Sequence, residues 1–83
     1  MNIVFSRHSL ERMAERSIDP VWAERTLREP EFERHDAGES GECRAFRQIP
    51  EAGNRWLRVV YRLRGEDRFV ITVFLDRKAE NWR

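Results

Sequence analysis

The chain reads as an α+β domain in which two N-terminal helices pack on a four-stranded antiparallel sheet, in the order α-α-β-β-β-β. Three observations carry this reading. Apolar residues at helical spacing fill the first third of the chain. Period-two alternation takes over from Glu42 onward. Short turn strings separate the alternating runs. Helices followed by a strand meander make two layers, with the helices on one sheet face.

The elements follow in order. Asn2 to Phe5 is a short apolar lead-in, read as a strand fragment. Ser6 is a residue type that caps helices, and Arg7 to Arg16 reads as the first helix. Its apolar stripe is Leu10, Met13 and Ala14, with Phe5 before it and Ile18 after. His8, Arg12 and Arg16 recur at i, i+4 and i+8, so they share one flank beside that stripe. Ser17-Ile18-Asp19-Pro20 breaks this helix and starts the next, because Asp19 caps and proline fits the first helical position. Helix two runs from about Pro20 to about Arg28 and stops before Glu29-Pro30, since a residue preceding proline avoids the helical region. Val21, Trp22, Ala23 and Leu27 supply its buried side.

The period then changes. Glu31 to Asp36 reads as a polar strand, and residues 37–41 as a turn. From Glu42 to Ile49 the faces alternate, with Cys43, Ala45 and Ile49 opposite Arg44, Phe46 and Gln48. Pro50-Glu51-Ala52-Gly53-Asn54 is a second turn. A hairpin follows, with Arg64-Gly65-Glu66-Asp67 at its tip and a glycine available for positive φ. Its first arm sets Leu57, Val59, Tyr61 and Leu63 on the apolar face and Trp56, Arg58, Val60, Arg62 and Arg64 on the other. Its second arm reads as Phe69, Ile71, Val73 and Leu75 on one face and Val70, Thr72, Phe74 and Asp76 on the other. Cross-strand partners share a face, so Arg58, Arg62 and Thr72 belong to one cationic surface. Asp76 to Arg83 is a charged tail carrying Trp82.

Residues 1–83 form one domain, small but long enough to fold alone. No run approaches the ~18 apolar residues of a membrane span. The N-terminus lacks the basic start and apolar stretch of a signal peptide. A single cysteine, Cys43, allows no internal disulfide, so the reading is a cytoplasmic protein with Cys43 in its core. The net charge of +1 hides an asymmetry. Residues 1–42 carry six basic and ten acidic side chains, whereas residues 43–83 carry ten basic and five acidic. Fifteen of the sixteen cations are arginine, whose planar fork suits phosphate. A basic half with interleaved aromatics fits a nucleic-acid surface.

No HExxH, CxxC, GxxxxGK[ST] or GxGxxG string is present, so no dedicated metal, cofactor or nucleotide motif is read. The acidic run Glu31, Glu33, Asp36, Glu39 and Glu42 reads as a solvated edge, with an Mg²⁺ site as the alternative, although nothing in the run fixes ligand geometry. The remaining chemistry lies in His8, Arg12, Arg16, Arg44, Arg58, Arg62, Tyr61 and Thr72. A histidine among arginines is equipped for one reaction, attack of an RNA 2′-hydroxyl on its own phosphate. The substrate supplies the nucleophile, histidine the acid or base, and arginine the stabilisation of the phosphorane. The alternatives are plain. His8 can close the helix–sheet junction, Arg12 and Arg16 can pair with Glu11 and Glu15, Tyr61 can pack, and threonine is a good strand former.

The opening Phe5-Ser6-Arg7-His8-Ser9-Leu10-Glu11-Arg12-Met13-Ala14-Glu15-Arg16-Ser17-Ile18 resembles the S-x-H-A-x-x-R-M-x-E-R-x-I start of the domain-of-unknown-function family numbered 4258. Ser9 stands where that pattern has alanine. Arg44-Ala45, Leu57-Arg58-Val59-Val60-Tyr61 and Val70-Ile71-Thr72-Val73-Phe74 resemble its later strands. The family is grouped with RelE/ParE-like toxins and small metal-independent endoribonucleases. The resemblance implies a cytoplasmic toxin-type domain that cleaves RNA and is held by an antitoxin protein. It implies His8 and Thr72 as candidate catalytic positions, with Arg44 and Arg58 facing the phosphate. With the reading of the residues above, the expected site is His8, Arg58 and Thr72 for catalysis and Arg12, Arg44 and Arg62 for RNA binding. A non-catalytic ParE-like toxin or a small protein-binding module using an Arg/Trp surface is the alternative.

Overall fold

Ser6 and Asp19 start the two helices, as their residue types require. Ser6 Oγ accepts from the Ser9 N–H at 3.0 Å and heads α1 (Arg7–Glu15). Asp19 Oδ1 accepts from the Val21 N–H at 2.9 Å and heads α2 (Pro20–Arg28). Each oxygen satisfies a donor that the first helical turn leaves open. The computed structural model describes residues 1–35 and 41–83. Its strands are β1 (Asn2–Phe5), β2 (Phe32–His35), β3 (Glu42–Ile49), β4 (Arg55–Arg64) and β5 (Asp67–Leu75). Asp36 and the turn expected over 37–41, apart from Gly41, lie outside the described residues.

The sheet corrects the expected architecture. It has five strands, ordered β1-β5-β4-β3-β2, and it is mixed. Strands β2 to β5 form an antiparallel meander. Strand β1 then adds parallel to β5, from Asn2 opposite Asp67 to Phe5 opposite Val70. The four-stranded, wholly antiparallel sheet and the helices-first order are both overturned. The lead-in has backbone groups to satisfy, and the outer edge of β5 offers free ones. That partner lies far downstream, so no local pattern announces it.

A β-bulge makes the second correction. Val60 stands opposite Thr72, yet Tyr61 stands opposite Val70, which leaves Ile71 as the extra residue. One inserted residue reverses the facing of everything beyond it. Val70, Val73 and Leu75 therefore share the core side. Phe69, Thr72 and Phe74 share the opposite side, across from Arg62, Val60 and Arg58. The expected apolar row of Phe69, Ile71, Val73 and Leu75 holds only on the Val73 side of the bulge.

The core lies between the helices and one sheet face. Met13, Ile18 and Leu27 pack there against Ala45, Leu57, Val59 and Tyr61. The helical stripes are turned from the expected ones. On α1, Ser9 and Met13 are buried while Leu10 is 45% exposed; on α2, Ala23, Thr26 and Leu27 are buried while Val21 is 56% exposed. Ser9 and Thr26 tolerate burial because each hydroxyl donates to a backbone carbonyl one turn back, Ser6 O and Trp22 O, both at 2.8 Å.

Helix α1 runs beside the part of β5 that β1 leaves uncovered. The Ser6 N–H donates to Val70 O at 3.2 Å, and Ser6 Oγ to Ile71 O at 3.4 Å. Arg16, just past the end of α1, donates from Nη1 to Val73 O at 2.8 Å. Side chains thus occupy edge carbonyls that a further strand would otherwise use. The chain ends in a 3₁₀ turn (Ala79–Trp82) that folds onto the sheet face away from the helices, where Trp82 stacks with Phe46 at 6.2 Å. Among the described residues, no helix is long and apolar enough to cross a membrane.

Candidate nucleic-acid interface

Strand alternation builds the outer sheet face from arginines and rings. Register pairs Phe32 with Phe46 and Arg34 with Arg44 across β2 and β3. It pairs Gln48 with Trp56, Phe46 with Arg58, and Glu42 with Arg62 across β3 and β4. The bulge then brings Phe74, Thr72 and Phe69 to the same side. The rings form a continuous patch. Phe32 stacks on Phe46 at 4.5 Å and meets Trp56 edge-on at 5.3 Å, while Trp82 lies beyond Phe46.

Guanidinium groups lie over this patch at cation–π distance. The Arg58 carbon is 4.5 Å from the Trp82 ring, 5.0 Å from Phe74 and 5.9 Å from Phe46. Arg44 lies 4.8 Å from Trp82. Arg83 lies 5.6 Å from Phe32 and 5.9 Å from Trp56, and Arg64 lies 4.3 Å from Phe69. Two carboxylates share the surface. Asp76 accepts from Arg58 at 3.2 Å, and Glu42 pairs with Arg44 at 3.5 Å and Arg62 at 3.8 Å. Arg44 and Arg58 are largely covered, and each keeps a buried Nε without a hydrogen-bond partner. Arg34, Arg62, Arg64 and Arg83 are exposed.

The residues singled out in the sequence fall into two groups. Arg44, Arg58, Arg62 and Thr72 come together on the outer face, with Thr72 half-buried opposite Val60. His8 and Arg12 lie on α1, which packs on the other side of the sheet. His8 is exposed, and among the described residues no hydrogen bond or ion pair ties it to Arg58 or Thr72. Arg12 pairs with Glu15 at 2.7 Å, and Arg7 rather than Arg16 pairs with Glu11. Arg16 instead reaches round the β5 edge, where its guanidinium carbon lies 5.9 Å from Phe74. That ring is shared with Arg58, whose guanidinium carbon lies 5.0 Å from it.

Two acidic protons on the core side stay in place. Tyr61 is fully buried and donates its hydroxyl to Glu33 Oε1 at 3.0 Å. Burial, followed by the Glu33 charge, raises its pKa. Burial also pushes the Cys43 thiol up, with Glu33 adding to it, so Cys43 behaves as an apolar core residue. Among the described residues, no three His, Cys, Asp or Glu side chains gather into a possible metal site.

A family model described as "Domain of unknown function (DUF4258)" matches residues 5–75. The chain belongs to this family. The DUF4258 match spans α1 through β5 and therefore covers the α1 flank and the strands of the outer face, whereas Asp76, Trp82 and Arg83 lie beyond it. The description carries no activity. No curated protein matches the chain, and no solved structure does.

The sequence set Trp56 and Asp76 on the faces of Arg58 and Thr72 without a role at the site, passed over Phe32, and left Trp82 in a tail. Parity along β4 already placed Trp56 beside Arg58. Phe32 and Trp82 carried no comparable signal, because their place on the face depends on strand pairing and on the fold-back of the C-terminal turn.

Proposed function

We propose that this DUF4258 domain binds single-stranded RNA across the outer face of its sheet. The observation that carries the reading is the surface on which Arg34, Arg44, Arg58, Arg64 and Arg83 lie over Phe32, Trp56, Phe69, Phe74 and Trp82, with the exposed Arg62 on the same face. Unstacked bases have two apolar faces and find sequence-tolerant platforms on aromatic side chains. Exposed guanidinium groups between those platforms meet the phosphates. A duplex hides its base faces, so the same surface favours single strands. The test compares single- and double-stranded RNA of one sequence by fluorescence anisotropy. Preference for the single strand supports the reading, and equal or absent binding contradicts it.

A second reading, metal-independent cleavage of that RNA, has one observation in its favour. Arg16 ends the flank that His8 and Arg12 begin, and it touches Phe74, the ring that also carries Arg58. RNA laid over the β5 edge would pass from Arg58 and Thr72 towards His8. The imidazole would take the 2′-hydroxyl proton, the 2′-oxygen would bond to phosphorus, and the 5′-oxygen would leave with a proton. The guanidinium groups would stabilise the added charge of the phosphorane. Incubation of RNA with the protein in EDTA tests this. Cleavage that disappears in His8→Ala supports it, and intact RNA with wild-type protein removes it while leaving the binding reading standing.

A further inference from the structure

At one end of the β4–β5 ladder lies a cavity of about 410 Å³, lined by Arg55, Trp56, Leu75, Asp76 and Arg77. That volume falls among the roughly 300–1,000 Å³ of small-molecule sites. The ladder makes the cavity, because β4 begins and β5 ends there and the Asp76 N–H closes onto Trp56 O at 2.9 Å. Leu75 and the half-buried Trp56 supply apolar surface. Phe32 holds the indole edge-on at 5.3 Å, which fixes its plane.

The polar groups differ in how far they are engaged. Asp76 Oδ2 accepts from Arg58 at 3.2 Å, and Oδ1 accepts from the Lys78 N–H at 2.8 Å. Its charge is thus offset within the protein. Arg55 donates from Nε to Ala52 O at 2.8 Å, which anchors the stem and leaves both terminal nitrogens without a partner among the described residues. Arg77 is exposed and makes no hydrogen bond or ion pair among the described residues. One flat apolar surface therefore lies beside two guanidinium groups with donors to spare. That combination matches a ligand with a planar ring at one end and an anionic, multiply accepting group at the other.

We propose that this cavity seats a single nucleoside monophosphate unit, with its base on Trp56 and its phosphate between Arg55 and Arg77. The proposal rests on the RNA reading of the adjoining face and gives that face a defined end, the place where one nucleotide of the strand is gripped. Nothing in the cavity dictates a base, since stacking on an indole accepts any of the four.

The test is an NMR titration of the full chain with adenosine 5′-monophosphate, following the indole N–H resonances, with Trp56→Phe used to assign its own signal. The proposal expects a saturable shift at Trp56 and none at Trp22. Adenosine and inorganic phosphate, each carrying half of the ligand, should bind about tenfold more weakly, and Arg77→Ala should weaken the monophosphate by a similar factor, the scale of one charge-assisted hydrogen bond. Arg77 is exposed, so this variant keeps the fold, which its own spectrum verifies. Absence of a saturable Trp56 shift overturns the proposal, as does unchanged affinity in Arg77→Ala. The RNA reading fails separately. Monophosphate binding without binding of an RNA strand keeps the pocket and removes the extended face, whereas strand binding with no Trp56 response removes the pocket alone.

Discussion

Arg58 and Trp82 are partners: the guanidinium carbon of the first lies 4.5 Å from the ring of the second. Phe74 lies 5.0 Å away, and Asp76 accepts from Arg58 Nη1 at 3.2 Å. The arginine therefore ties the C-terminal turn to the outer sheet face. Asp76 is only 11% exposed, and without Arg58 it keeps a charge that water reaches poorly. Arg58→Ala is expected to lower unfolding stability by about 2–4 kcal/mol, because removing one partner of a covered pair costs more than the pair contributes. Arg58→Lys should fall between, keeping the charge and losing the flat stack. Urea denaturation of the two variants checks the order.

The edge of β5 gives a second expectation. Arg16 donates to Val73 O at 2.8 Å where no strand follows. Arg16→Ala should cost about 1–2 kcal/mol, the scale of a hydrogen bond with a charged donor. It should also speed amide exchange in β5 more than in β3, because the edge is loosened locally. Uniform acceleration across both strands contradicts that account.

A pH dependence follows from Glu51. Arg25 donates two hydrogen bonds to its carboxylate, at 2.9 Å and 2.6 Å, and these hold its pKa down from 4.5 to about 2. A carboxyl whose folded pKa is depressed stabilises the fold above its unfolded pKa and loses that contribution as pH falls towards the folded one. The Glu51 contribution should thus be complete above pH 4.5 and fade on acidification towards about 2. Both groups are partly exposed, so the effect is small and shrinks in salt. In Glu51→Gln, the melting temperature should be less sensitive to acid across that interval. Identical acid profiles for variant and parent exclude the bridge as a source of pH dependence.

The sequence made some of this legible and hid the rest for identifiable reasons. Ser6 and Asp19 marked both helix starts because capping is local chemistry. The β3 and β4 faces were legible because Ala45, Leu57 and Val59 alternate with Arg44, Trp56 and Arg58 without interruption. From Phe69 to Ile71 the alternation misled, since the bulge at Ile71 is a property of two paired strands and not of one. The same limit hid the pairing of β1, legible as a strand fragment but not as a neighbour of β5. On the outer face, Arg58 and Thr72 were grouped correctly by parity. The expected union with His8 required its side chain to reach round the sheet edge, and α1 packs on the opposite face, with Arg16 at its end meeting Phe74.

The most direct measurement of the central claim is the affinity for a single-stranded RNA oligonucleotide as salt is raised. A surface of guanidinium groups over rings should bind saturably at low salt. The logarithm of the binding constant should then fall linearly with the logarithm of salt, by about 0.7 for each phosphate neutralised on a single strand. Replacing the exposed Arg62 and Arg83 by alanine should lower that slope by about 0.7 each, the scale of one phosphate contact on a single strand. No binding at low salt, or binding with a slope unmoved by both substitutions, contradicts the assignment of the outer face to RNA.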